Sequence, residues 1–136
     1  MYKLLIVDDE AFIADGLYRT FSNFSELPLD VYRCYLASSA LTLLDQYRMD
    51  IVITDINMPG LSGLDMLKEI QNRWPDCRTI VLSGYSEFDY AQTALRYGAD
   101  YYILKSEGDE ALIDAVKGCI QKIESAMKEL RWKDEM

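Results

Sequence analysis

The sequence predicts an α/β protein built around a parallel β-sheet with helices on both faces. Two observations carry this prediction. Short apolar runs of strand length alternate five times with amphipathic stretches of helical length, and the chain of 136 residues fits one domain. Strand–helix–strand units of this kind cross over right-handedly and place their strands in parallel. Ligands of such sheets bind beyond the carboxyl ends of the strands.

The predicted strands are short and rich in apolar and β-branched residues, which suits strands that are buried on both faces. They cover residues 3–7, 31–36, 51–54, 79–82 and 101–104. The first run is stopped by three acidic residues, Asp8, Asp9 and Glu10. Taken alone, runs this short are also compatible with fragments of buried helices.

The predicted helices cover residues 11–24, 40–47, 62–74, 86–97 and 109 almost to the end. The third begins with Ser62 and has Asp65 three residues later, which is a capping-box pattern, and Pro75 follows its end. The fourth has the same pattern from Ser86 and stops at Gly98, which predicts a left-handed C-terminal cap.

Composition and charge exclude several classes of function. The chain contains no histidine, which excludes Ser-His-Asp and Cys-His catalysis and His-ligated zinc. Its formal net charge of -9 argues against nucleic acid as a direct ligand. The sequence has no export signal, and no apolar run reaches the about 18 residues that a membrane span requires. We therefore expect a cytoplasmic protein with no membrane partner. Three widely spaced cysteines, Cys34, Cys77 and Cys119, are expected to be buried, reduced thiols.

Polar side chains follow four of the predicted strands. Asp8 and Asp9 follow the first, Asp55 the third, Ser83 the fourth, and Lys105 the fifth. A parallel sheet places all of them at one edge, where two like charges about 4 Å apart repel by about 4 kcal/mol at an effective dielectric of about 20. A cluster of carboxylates therefore indicates a bound cation, and an all-oxygen site with open positions suits Mg²⁺.

This set of groups indicates phosphoryl-transfer chemistry. A carboxylate held beside a metal is a known nucleophile that forms an aspartyl phosphate. The metal and Lys105 would neutralise charge on the transferring group, and the Ser83 hydroxyl could bond a phosphoryl oxygen. The alternative is structural: Asp8 and Asp9 cap the first helix and Asp55 merely ends a strand.

Four segments carry a family resemblance, namely residues 8–10, residues 55–60 with Gly63, residues 83–85, and residues 101–105. In this order and spacing they resemble the receiver domains of response regulators, over residues 2 to 122. The stretch from Ser83 to Lys105 further resembles receivers that are fused to AraC-type DNA-binding domains. The resemblance implies a flavodoxin-like fold, a five-stranded sheet of order 2-1-3-4-5 with five helices.

The resemblance also implies roles for individual residues. Asp55 would be the phosphoacceptor, and Mg²⁺ would be bound directly by Asp9 and Asp55, through water by Asp8, and by the main-chain carbonyl of Asn57. The phosphoryl donor would be a sensor histidine kinase or a small acyl phosphate.

Three further positions complete the comparison with receivers. Ser83 and Lys105 would hold the phosphoryl oxygens, and Tyr102 would be the aromatic residue that rotates inward after Ser83. Receivers usually have a cis proline after this lysine, but here Ser106 follows. Because a cis bond before a non-proline residue costs about 2.5–4 kcal/mol, we expect a trans Lys105–Ser106 bond.

Residues 1–122 are therefore expected to form the receiver, and residues 123–136 a helical extension or linker toward an output domain that is not in this chain. Transcription would be controlled, and DNA contacted, only through that output domain. The apolar residues of the last helix follow a heptad spacing: Val116, Ile120, Ile123, Met127 and Leu130. They predict a homodimer through the fourth helix, fifth strand and fifth helix, with a frayed linker as the alternative.

Two other functions fit parts of the pattern. A Mg²⁺-dependent phosphohydrolase would also use Asp55 as nucleophile, but Asn57 stands where such an enzyme usually needs a general acid, and no insertion could form a substrate cap. A receiver-like module that never takes phosphate would not need the complete set of site residues. We therefore expect a phosphorylation-dependent switch rather than an enzyme.

Overall fold

The elements of the fold follow the predicted alternation of strand and helix. The computed structural model describes residues 1–84 and 88–135. The strands are β1 (Tyr2–Val7), β2 (Leu29–Cys34), β3 (Ile51–Thr54), β4 (Arg78–Ser83) and β5 (Tyr101–Leu104). The helices are α1 (Ala11–Ser22), α2 (Ala37–Gln46), α3 (Gly63–Arg73), α4 (Phe88–Arg96) and α5 (Asp109–Glu135), with a short 3₁₀ turn at Lys105–Glu107.

The sheet has the order β2-β1-β3-β4-β5, and all four pairings are parallel. This confirms the predicted doubly wound architecture with five strands and five helices. Two neighbouring elements, β2 and α2, are shifted from their predicted positions. β2 begins at Leu29 and ends at Cys34 instead of covering residues 31–36. The β1–β2 ladder sets these limits, since it pairs Tyr2 with Leu29 and Val7 with Cys34. The next helix, α2, accordingly begins at Ala37 rather than at residue 40.

Both faces of the sheet are covered, so successive residues of the central strands are all buried. Leu4 and Ile6 of β1 belong to the core under α1 and α5, whereas Leu5 and Val7 belong to the core under α2 and α3. Successive strand side chains point to opposite faces, and burial of both faces explains why β1 reads as a continuous apolar run. A third cluster, which includes Leu67 of α3 and Ala94 of α4, packs on the β4 side.

Helix α3 begins where its capping pattern predicts. The Ser62 Oγ accepts a hydrogen bond from the Asp65 main-chain N at 3.2 Å. Gly98, after α4, has a φ of 90°, which confirms the predicted left-handed cap. The corresponding capping pattern at Ser86 and Glu87 lies outside the described residues.

Helix α5 runs without interruption through the boundary predicted at residue 122. Ile123 still packs against the core under α1 and α5, but Met127 and Leu130 are 54% and 64% exposed. Lys122 Nζ lies 3.0 Å from Asp100 Oδ1 and anchors the middle of the helix beside the start of β5. Among the described helices, none is both long enough and apolar enough to cross a membrane.

Candidate functional site

Asp8 and Asp55 are brought together by neighbouring strands. Val7 of β1 is paired with Thr54 of β3, and each aspartate is the residue that follows. The Asp55 main-chain N donates to the Val7 carbonyl at 3.1 Å, which extends the pairing by one step. Both carboxylates are nearly buried, with Asp8 2% and Asp55 6% exposed. Such burial penalises a charged carboxylate unless other groups compensate its charge.

A third carboxylate, that of Asp9, completes an acidic cluster with Asp8 and Asp55. One carboxylate oxygen from each of the three residues lies within 4.8 Å of the other two, and Asp9 is exposed. Three hard oxygen donors with one side open to solvent are a donor set that suits Mg²⁺, which retains water and accepts phosphate oxygens. The chemistry of the residues present therefore fits a divalent cation.

Lys105 joins the cluster from the far side of β4. Its Nζ lies 3.3 Å from Asp8 Oδ2, 3.4 Å from Asp55 Oδ2 and 3.6 Å from Glu10 Oε1. The Lys105–Ser106 bond is trans, as expected, since the described residues contain no cis peptide bond. One cation thus faces three acidic side chains, which leaves the cluster with a net negative charge.

The two buried aspartates are oriented in the same way. The Oδ1 of Asp8 accepts from the Glu10 main-chain N at 2.9 Å, and the Oδ1 of Asp55 accepts from the Ile56 main-chain N at 2.9 Å. In both residues the other oxygen, Oδ2, faces Lys105. Each carboxylate therefore has one oxygen fixed by the backbone and one turned toward the cation.

Burial and charge act in opposite directions on the ionisation of these groups. Burial raises the pKa of Asp8 and of Asp55 above the ordinary value. The Glu10 main-chain N–H and then Lys105 partly offset this for Asp8, and Lys105 and then the Ile56 main-chain N–H partly offset it for Asp55. For Lys105, burial lowers the pKa, but the carboxylates of Asp8 and Asp55 outweigh it and the net pKa is raised. The surrounding carboxylates therefore favour the charged form of the lysine, whereas burial disfavours the charged form of the two aspartates.

The remaining predicted residues belong to β4, to β5 and to the segment after β3. Ser83 ends β4 and is fully buried, and Asn57 lies exposed in the segment after β3. Tyr102 is half-buried and packs on the cluster that contains Val81, its partner in the β4–β5 pairing. Tyr85, part of the motif after β4, lies outside the described residues.

The sequence did not predict two contacts of the site. Glu10 was assigned no role, yet its side chain reaches Lys105 and its main-chain N fixes Asp8. The Glu107 Oε2 accepts a hydrogen bond from the Leu104 main-chain N at 2.7 Å, immediately beside Lys105. The three-residue spacing of Leu104 and Glu107, like that of a helix cap, was the signal that could have indicated this contact.

A protein-family model described as the response regulator receiver domain matches residues 4–117. The chain is 33% identical over 123 residues to the transcriptional regulatory protein YesN of Bacillus subtilis. The matched segment covers 90% of this chain and 33% of that protein. It is 31% identical over 115 residues to the transcriptional regulatory protein DegU of Brevibacillus brevis, covering 85% of this chain and 48% of that protein. The chain thus spans a third to a half of the length of these relatives.

Solved structures agree with this match. The receiver domain of AraT, a response regulator from Geobacillus stearothermophilus, has a TM-score of 0.83 and 34% identity, covering 93% of this chain and 98% of that chain. A receiver domain protein from Clostridium thermocellum has a TM-score of 0.85 and 28% identity, covering 93% and 99% of the two chains.

Proposed function

Since this chain belongs to the family of response regulator receiver domains, we propose that Asp55 is its phosphoacceptor and that phosphorylation there switches the protein between two states. The observation that carries the proposal is the orientation of the Asp55 carboxylate. Its Oδ1 is held by the Ile56 main-chain N, and its Oδ2 is turned toward Lys105 at 3.4 Å. A nucleophile fixed in this way loses little further freedom when a donor arrives.

Mg²⁺ is the cation that we assign to the acidic cluster. Asp9 and Asp55 would bind it directly, Asp8 through water, and the Asn57 main-chain carbonyl would be a further ligand. When bound, Mg²⁺ supplies positive charge to the oxygens of the transferring phosphoryl group. The raised pKa values of Asp8 and Asp55 support this assignment, because a second cation would relieve the penalty for their ionisation.

In the transfer step, a carboxylate oxygen of Asp55 forms a bond to phosphorus while the bond from phosphorus to the donor atom breaks. The electron pair of the broken bond stays on the donor, which is an imidazole nitrogen of a sensor histidine kinase or the carboxylate oxygen of a small acyl phosphate. Lys105 would neutralise charge on the phosphoryl oxygens, and the Ser83 hydroxyl would donate a hydrogen bond to one of them.

Tyr102 is the residue through which we expect phosphorylation to reach the surface. It packs on the cluster that contains Val81, its partner in the β4–β5 pairing, and Ser83 lies two residues after Val81 on β4. Inward movement of Ser83 toward a phosphoryl oxygen would open space that the Tyr102 ring can enter. Phosphorylation adds about two negative charges, which is enough to bias a two-state surface of this kind.

We propose the output from the relatives, which are named as transcriptional regulatory proteins. Residues 1–122 would be the receiver, and residues 123–136 a helical extension toward an output domain outside this sequence, through which DNA would be contacted. A homodimer through α4, β5 and α5 would align two such extensions. In support, Met127 and Leu130 of the extension are 54% and 64% exposed, so these apolar side chains are accessible to a partner.

Labelling with acetyl phosphate and Mg²⁺ tests the proposal. Intact mass should show one added phosphoryl group on the wild type and none on Asp55→Ala. Steady turnover of acetyl phosphate without accumulation of the adduct would indicate a phosphohydrolase instead. The absence of both labelling and turnover would indicate a receiver-like module that takes no phosphate.

A further inference from the structure

The turn that carries Lys105 is held by an unusual contact. β5 ends at Leu104, Lys105–Glu107 form a single 3₁₀ turn, and Gly108 follows with a φ of 87°. The Oε2 of Glu107 accepts a hydrogen bond from the main-chain N of Leu104, three residues earlier in the chain, at 2.7 Å. The two ends of the turn are thereby joined on either side of the lysine.

Packing gives this turn little other support. An open depression of about 210 Å³ adjoins the turn, and Lys105 and Gly108 are among the residues that line it. Ser106, Glu107 and Gly108 are all exposed. Ser106 also leaves its own φ unrestricted, because only proline fixes that angle through its ring. An exposed turn with few packing contacts depends on its hydrogen bonds for its shape.

We propose that Glu107 is a positioning residue for Lys105, and that its hydrogen bond to Leu104 holds the turn in the shape that lets the ammonium group reach Asp8 and Asp55. The proposal rests on the proposed function, in which Lys105 neutralises the phosphoryl group on Asp55. Glu107 does not touch the acidic cluster itself; it acts by fixing the main chain on both sides of Lys105.

The first test compares substitutions of Glu107 in the rate of labelling by acetyl phosphate at saturating Mg²⁺. Glu107→Ala should label about tenfold more slowly, which is the effect of losing one hydrogen bond to a charged acceptor. Glu107→Gln keeps an acceptor oxygen at the same reach and should retain most of the rate. Glu107→Asp keeps the charge but is one methylene shorter, so it should resemble Glu107→Ala.

Glu110→Ala is the matched control, since it removes the charge of an exposed acid in the first turn of α5. It should label at the wild-type rate. An equal loss in Glu110→Ala and Glu107→Ala would overturn the proposal, because the effect would then be one of net charge. Equal rates for wild type and Glu107→Ala would also overturn it.

A double-mutant cycle separates positioning from general stability. If Glu107 acts through Lys105, then Glu107→Ala should slow labelling in the wild type but should have no further effect on the slow rate of Lys105→Ala. An undiminished effect in the Lys105→Ala background would overturn the proposal. Failure of the wild type itself to accept phosphate at Asp55 would instead contradict the proposed function, so the two failures are distinguishable.

Discussion

Gly63 lies directly against the main chain of Asp55. A Cβ atom at Gly63 would be 1.9 Å from the Asp55 carbonyl oxygen and 2.8 Å from its carbonyl carbon. The Gly63 main-chain N also donates to the Ile56 carbonyl at 2.8 Å. The start of α3 therefore packs directly on the main chain of Asp55, the proposed phosphoacceptor. The contact is too close for residue 63 to carry a side chain.

We predict from this contact that Gly63→Ala destabilises the protein by about 3 kcal/mol, because the clash is with backbone that cannot turn away. The rate of Asp55 labelling should fall as well, since relief of the clash displaces the Asp55 main chain. Urea unfolding measures the first effect and intact mass the second.

Gly16→Ala is the control: a Cβ there meets only Arg19 at 4.0 Å, and we expect a gain of about 0.4–1 kcal/mol in the free energy of unfolding. Equal stabilities for the two variants would contradict the predicted clash.

The second prediction concerns ionisation of Asp55. Its pKa is raised by burial, so its charged form is less favourable in the folded than in the unfolded state. Asp55→Asn should therefore raise the stability of the metal-free protein at pH 7. This gain should shrink as the pH is lowered through the raised pKa, because the wild-type carboxyl is then also neutral.

Urea unfolding in EDTA at pH 7 and at a series of lower pH values measures this difference. The exposed residue Asp89 provides the control, since Asp89→Asn should not reproduce the gain. Added Mg²⁺ should stabilise the wild type more than Asp55→Asn, because the variant lacks one proposed ligand. A loss of stability in metal-free Asp55→Asn at pH 7 would contradict the prediction.

The third prediction concerns the buried cysteines. Burial raises the pKa of Cys77 to about 12 and that of Cys119 to about 12. The unfolded chain releases these protons near the ordinary value of 9.0, whereas the folded protein retains them up to about 12. Because the unfolded state binds fewer protons over this interval, the free energy of unfolding should fall as the pH rises above 9.0.

Alkylation by iodoacetamide at pH 8.5, followed by peptide mass, gives a direct measurement. Cys34, which is only half-buried, should react first, and the other two thiols should react no faster than the protein unfolds. Cys77→Ala/Cys119→Ala should be less stable at neutral pH but should show a flatter alkaline slope. Rapid native alkylation of Cys119 would contradict the burial on which the prediction depends.

The fourth prediction concerns the proposed dimer. Ile123 packs against the core, so an acidic substitution there would also disturb the fold, whereas Met127 and Leu130 are exposed. Met127→Asp/Leu130→Asp should abolish the dimer that beryllium fluoride favours and should change stability little. Mass by light scattering, with and without beryllium fluoride, measures the effect, and Glu129→Gln is the control on the same helix. A monomer under every condition would contradict the dimer, and a dimer unaffected by the double substitution would place its interface elsewhere.

Local patterns were sufficient to predict which elements form. β3 and β5 occupy the predicted residues, and α3 begins after the predicted cap at Ser62. The limits of β2 and the start of α2 were less predictable, because the ladder with β1 decides them and that ladder is a long-range contact. The sequence predicted that the last helix continues past residue 122. It did not predict which residue of that continuation contacts the core, and the structure shows that Ile123 does.

The sequence by itself determined that five polar residues stand at the carboxyl ends of strands of one parallel sheet, because strand ends and apolar runs are local features of the chain. They are Asp8, Asp9, Asp55, Ser83 and Lys105. Only the tertiary structure decided which of these groups meet, and at what distance. The approach of Lys105 to both Asp8 and Asp55, the exposure of Asp9 and the closure of Gly63 on Asp55 depend on strand register and on helix docking. Those depend on contacts between residues far apart in sequence, whose geometry local patterns do not specify.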